Sequence, residues 1–151
     1  MFFEKESLSF HLLDVLELKQ SDIHMINNAR NFSALSLRFC ADTVLKTDTQ
    51  TCHVGDHFVS YVPAGLDYSR SATRDELIVA HLDMTDYHTQ SIEYFQAKDP
   101  VRLSHLFREM LERWNKKELG YQHKCSALLH EIFAECYIQN FKPKTQNSKI
   151  K

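Results

Sequence analysis

Hydrophobic periodicity changes once along these 151 residues, at Asp99-Pro100. Ahead of that point apolar residues alternate with polar ones in short runs; behind it they recur at spacings of three and four. A period of two belongs to a half-buried strand and a period of 3.6 to an amphipathic helix, and one arrangement cannot serve both. The expected fold is therefore mainly β with C-terminal helices. Residues 34–40, ALSLRFC, show the alternation: Leu35, Leu37 and Phe39 on one face, Ala34, Ser36, Arg38 and Cys40 on the other. Further strands are expected at 43–47, 51–54, 57–62, 67–71 and 76–83, with 8–18 and 22–26 before them. "AD" and "ATRD" read as turns between them. Short strands joined by short turns predict a sandwich or barrel.

The helical half carries its own punctuation. Asp99 is an N-cap candidate and Pro100 suits the first helical position, where the missing N–H is not needed. VRLSHLFREMLERWNKK then places Leu103, Leu106, Phe107, Met110, Leu111 and Trp114 at helical spacing, with Lys116 and Lys117 in the last turn. Gly120 reads as the stop. A second helix, 122–140, carries Cys125, Leu128, Leu129, Ile132 and Cys136 as a stripe that Phe133, Tyr137 and Phe141 widen. That width predicts a second surface beyond one neighbouring helix, and a partner's equivalent helix in a homodimer would supply it. The chain divides into 1–98, a β-barrel with an N-terminal arm; 99–141, an antiparallel helix pair; and 142–151, a polar, basic linker tail.

A net charge of −2 argues against a nucleic-acid clamp. No apolar run approaches the ~20 residues of a membrane helix, and MFFEKESLSF does not read as a signal peptide. Cys40, Cys52, Cys125 and Cys136 show no CxxC spacing. They are expected to be buried thiols in a reducing cytoplasm.

Of three glycines and three prolines in the chain, Gly55, Pro63 and Gly65 bracket one strand. They suit tight corners, and their order resembles the second cupin motif. Tyr68 stands where metal cupins carry histidine, and LSLRFCADTVLKT lacks the histidine pair of the first motif. The resemblance is thus to a cupin-like double-stranded β-helix, a jelly-roll barrel, without its metal. "GD…PAG" followed by a Pro-capped LxxLFxxMLxxW helix and a second helix resembles the N-terminal effector-binding and dimerisation domains of AraC-family transcription regulators. The resemblance covers roughly residues 30 to 151. It implies a non-catalytic, cytoplasmic sensor of a small polar effector, a sugar above all, acting on DNA through a helix-turn-helix module outside this chain. Such a module begins about where SKIK ends, so an isolated effector domain is expected. The resemblance implies no cofactor and no metal.

Arg38 is the first candidate ligand residue. Its five fixed donors suit sugar hydroxyls or a carboxylate, and in the family's arabinose-binding member an arginine on this strand holds the sugar. Alternation alone leaves open that Arg38 faces solvent. Ser36 shares its face. Tyr68 offers an aromatic platform with a hydroxyl, Arg70 shares its alternation, and His81 sits within an apolar strand, where a satisfied core histidine is the competing reading. His53 and His57 straddle a turn and lack the partners of a metal site. His130-Glu131 lacks the second histidine of a zinc-peptidase motif. The alternative function is a stand-alone cupin enzyme, a sugar isomerase or dioxygenase, which would need the missing metal ligands.

Overall fold

The computed structural model describes residues 1–141; the expected linker tail lies outside them. Six strands are followed by two helices: β1 Phe10–Asn27, β2 Ser33–Lys46, β3 Thr51–Gly55, β4 Phe58–Val62, β5 Tyr68–Met84, β6 Glu93–Gln96, α1 Pro100–Lys116 and α2 Tyr121–Asn140. A short 3₁₀ turn, Phe2–Glu4, precedes them. The strands form one antiparallel sheet in the order β1-β5-β2-β4-β6, and β3 pairs the far half of β2. The expected mainly-β domain with a C-terminal helix pair is the one observed.

Strand continuity differs from expectation. The strands read at 34–40 and 43–47 are one, β2; those at 67–71 and 76–83 are one, β5; those at 8–18 and 22–26 are one, β1. "AD" and "ATRD" are not turns. The β2–β5 ladder runs through both, with register shifts between Arg38 and Cys40 and between Asp42 and Thr43. Each bulge absorbs the local irregularity while pairing on both sides holds the strand extended. The first bulge also moves Cys40 off Arg38's face, so this thiol is half-buried rather than buried, unlike Cys52, Cys125 and Cys136.

Two turn assignments also shift. At the β3–β4 corner the left-handed residue is His57 (φ 65°), not Gly55, and Asp56 holds the corner by accepting the Ala41 N–H at 2.8 Å. At the end of α1 it is Lys117 (φ 53°) that caps the helix, whereas Gly120 opens α2 at φ 82°. Asp99 and Pro100 start α1 as read, the carboxylate accepting from Arg102 N.

The sheet buries both faces. Leu35 and Leu37 of β2 and Ile78, Ala80 and Leu82 of β5 pack under the helices, against residues such as Phe107, Met110 and Ile132. On the opposite face Ala34, Leu45, Val62, Leu77 and Val79 form a second cluster. The arm joins the first. Phe2 is 1% exposed and stacks on Tyr61 with centroids 3.8 Å apart, edge-on to Phe133 of α2. The Phe2 N–H donates to the buried Glu93 at 2.7 Å, and the Tyr87 hydroxyl donates to the same carboxylate. Phe133 meets Phe10 as well. Phe133, one of the aromatics that widen the α2 stripe, is therefore covered within the chain, whereas Phe141 is 50% exposed.

Candidate functional site

On the sheet face away from the helices lies a cavity of about 200 Å³. Its wall includes Ser36 and Arg38 from β2 and Tyr68, Arg70 and His81 from β5. All five candidate ligand residues thus share one space. Arg38 does not face solvent: it is 2% exposed.

The polar centre is an arginine–carboxylate–arginine cluster. Arg38 donates through Nε to Asp75 Oδ1 at 3.0 Å and through an Nη to Ser60 Oγ at 2.7 Å. Arg70 donates to Asp75 Oδ2 at 2.8 Å, to Gln20 Oε1 at 2.5 Å, and lies 3.3 Å from Met25 Sδ. Asp75 is 0% exposed. Burial pulls the Arg38 guanidinium below its usual value; Asp75 works against that pull and Arg70 adds to it. A guanidinium keeps its proton in proteins, so two cations and one anion leave one positive charge in this wall.

Nearer β1, Arg30 donates to the Tyr68 hydroxyl at 2.9 Å and lies over the Phe32 ring, 4.6 Å from its centroid. His81 Nδ1 is 2.7 Å from Asp14 Oδ1. Burial lowers the His81 pKa, with Asp14 opposing; Asp14 Oδ1, though this close, is buried without a hydrogen-bond partner. Asn27, also in the wall, has a buried Nδ2 without a hydrogen-bond partner.

Reading the sequence missed Asp75, Ser60, Gln20, Met25, Asn27 and Arg30. Asp75 had a signal: counting back by twos from His81 through Val79 and Leu77 reaches it. Reading "ATRD" as a turn broke that count. The β1 residues had none, since only long-range pairing brings them to the cavity.

His53 and His57 are both exposed, and among the described residues no three His, Cys, Asp or Glu side chains converge as a metal site requires. A larger groove of about 590 Å³ runs past Pro63, Ala64, Gly65 and His88. It is more open to solvent and contains no cluster of buried charge. No described helix is long and apolar enough to cross a membrane.

No protein-family model and no curated protein matches the chain by sequence. Solved structures do match by fold. The AraC-like transcriptional activator CuxR superposes with a TM-score of 0.58 at 12% identity, over 88% of this chain and 55% of its own. ToxT from Vibrio cholerae gives 0.50 at 10% identity, over 94% of this chain and 63% of its own. The polyketide cyclase RemF from Streptomyces resistomycificus, at 0.41 and 10% identity over 63% of this chain and 69% of its own, is too distant to carry an argument. The chain therefore shares its fold with an AraC-like transcriptional activator. It spans just over half the length of CuxR.

Proposed function

We propose that this chain is the effector-sensing and dimerisation domain of a DNA-binding transcription regulator, with the β-sheet cavity as the effector site. The carrying observation is the convergence of Arg38, Ser36, Tyr68, Arg70 and His81 on one cavity, apolar over much of its wall and polar at its centre, within a fold shared with an AraC-like activator. A buried array of fixed donors beside an aromatic ring suits a small polar molecule of monosaccharide size. The domain is non-catalytic and cytoplasmic: it binds, and the differential affinity of its two states for the effector shifts their balance. DNA is contacted through a helix-turn-helix module beyond these residues. Binding of small polar metabolites, followed by NMR on the uniformly labelled protein, tests the reading. A bound effector is expected to shift resonances around Arg38 and Tyr68, and Arg38→Ala to weaken it by about 10- to 150-fold, the worth of a hydrogen bond to a charged group. A tightly bound stoichiometric metal, with turnover of a substrate that chelation abolishes, would replace the sensor by the cupin enzyme.

Dimerisation is assigned to the C-terminal helices. Ala127, Ala134 and Ile138 recur at helical spacing on α2 and, with Phe141 just after its end, remain exposed after the arm has docked, Ile138 at 65%. Sedimentation at micromolar concentration is expected to show a dimer that Ile138→Glu dissociates. A monomer at all concentrations would remove the assignment.

A further inference from the structure

The cavity is electrically incomplete. Its wall contains three arginines, Arg30, Arg38 and Arg70, and no Asp or Glu. The one carboxylate engaging them, Asp75, lies behind Arg38 and Arg70 and is shared by both. A buried charge without a partner is costly, and proteins meet that cost by pairing it. Here the unpaired charge faces a space of about 200 Å³, the volume of six or seven waters. That space suits a small organic molecule and is too small for a nucleotide or a long acyl chain.

The hydrogen-bond inventory agrees. A guanidinium has five N–H donors. Arg38 uses three of them, on Asp75 twice and Ser60 once. Arg70 uses donors on Asp75, Gln20 and the weak acceptor Met25. Asn27 Nδ2 is buried with no acceptor. Surplus donors and an orphaned amide ask for acceptor oxygens, and the surplus positive charge of the arginines asks that they be anionic; beside His81 the buried Asp14 Oδ1 is an unpaired acceptor in turn.

We infer that the effector is a small monoanion, a carboxylate whose oxygens complete the charge of the Arg38–Asp75–Arg70 cluster, in place of a neutral sugar. This rests on the cavity being the effector site. The charge also separates the roles of the arginines. Arg38 with Asp75 is a balanced pair, and Arg70 brings the excess. Losing Arg70 leaves the Arg38–Asp75 pair balanced; losing Arg38 leaves Asp75 with one partner fewer.

The test uses acetate against acetamide, its neutral isostere, and D-glucuronate against D-glucose, at constant pH and with ionic strength held by sodium chloride. Thermal unfolding of the whole chain is followed with each. Acetate and glucuronate are expected to raise Tm saturably, by about 3–6 °C at ten times their Kd, and their neutral counterparts to leave it unchanged. Arg70→Met is expected to abolish the response. If that variant does not fold, ¹⁵N-arginine spectra of the wild type serve instead: acetate should shift the Arg38 and Arg70 Nε signals saturably and acetamide should not. Equal responses to each member of a pair, or none to either carboxylate by both methods, overturns the inference. A response to glucose alone, on the same Nε signals, overturns it as well but leaves the sensor reading standing. Metal-dependent turnover would instead remove that reading.

Discussion

Two guanidiniums share one carboxylate in the cavity wall, and the two kinds of partner are not equivalent when removed. Asp75→Asn leaves two buried cations facing each other without an anion. Breaking a buried pair from one side typically costs about 3–5 kcal/mol, and a loss of that size is expected in urea unfolding monitored by circular dichroism. A midpoint equal to wild type would mean that water, not Asp75, balances the arginines. His81 gives a pH signature of its own. Its pKa is lowered in the folded state from 6.5, chiefly by burial. Between that lowered value and 6.5 the unfolded chain binds a proton that the folded chain refuses, so folding is weakened there by acid. The contribution is complete above about pH 6.5 and is lost as pH falls towards the folded value. Wild-type stability relative to His81→Asn is therefore expected to decline from pH 7.5 to 5.5; a constant difference would show that the imidazole is already hydrated in the native state.

At the scale of elements the local signals were strongest where one residue controls one event. Asp99 caps α1 through the Arg102 N–H at a long 3.4 Å, so Asp99→Ala is expected to cost about 0.5–1 kcal/mol, at the low end for a cap. A loss above ~2 kcal/mol would mean that the neighbouring Gln139 contacts, which reach Asp99 N and O, fail with it. The helices were legible because Asp-Pro and the 3.6 period lie within their own residues. Strand faces were legible for the same reason, and a period of two put Ser36 with Arg38 and Tyr68 with Arg70 on the cavity side. Strand ends were not. Ala41-Asp42 and Ala72–Asp75 have turn-like composition, yet each lies in a ladder paired on both sides, and that pairing outweighs local preference. Hence Asp75, the centre of the cluster, was hidden inside a supposed turn. The part of the cavity made by Gln20, Met25 and Asn27 depends on β1 pairing β5, which no residue of β1 announces.

Across the whole molecule the cavity and the arm lie on opposite faces of the sheet, and β4 passes between them. Ser60 faces the cavity and accepts from Arg38; Tyr61, the next residue, faces the helices and carries the stacked ring of Phe2. Tyr61 is also tied to β2, its hydroxyl donating to Ser33 Oγ at 3.0 Å. Any shift of Arg38 towards a ligand must pull on Ser60, and Ser60 cannot move without its neighbour. Removing Phe2, which fills space between Tyr61, Tyr87 and Phe133, is expected to cost about 3–5 kcal/mol as Phe2→Ala. The coupling is the sharper prediction. In a double-mutant cycle of Ser60→Ala with Phe2→Ala, read by urea unfolding, the two losses should fail to add by about 0.5–1 kcal/mol, because the sites share one strand and one tyrosine. Additivity within ~0.3 kcal/mol would show that the cavity and the arm are energetically separate. A change in the cavity would then have to reach the helices through β2 and β5 alone.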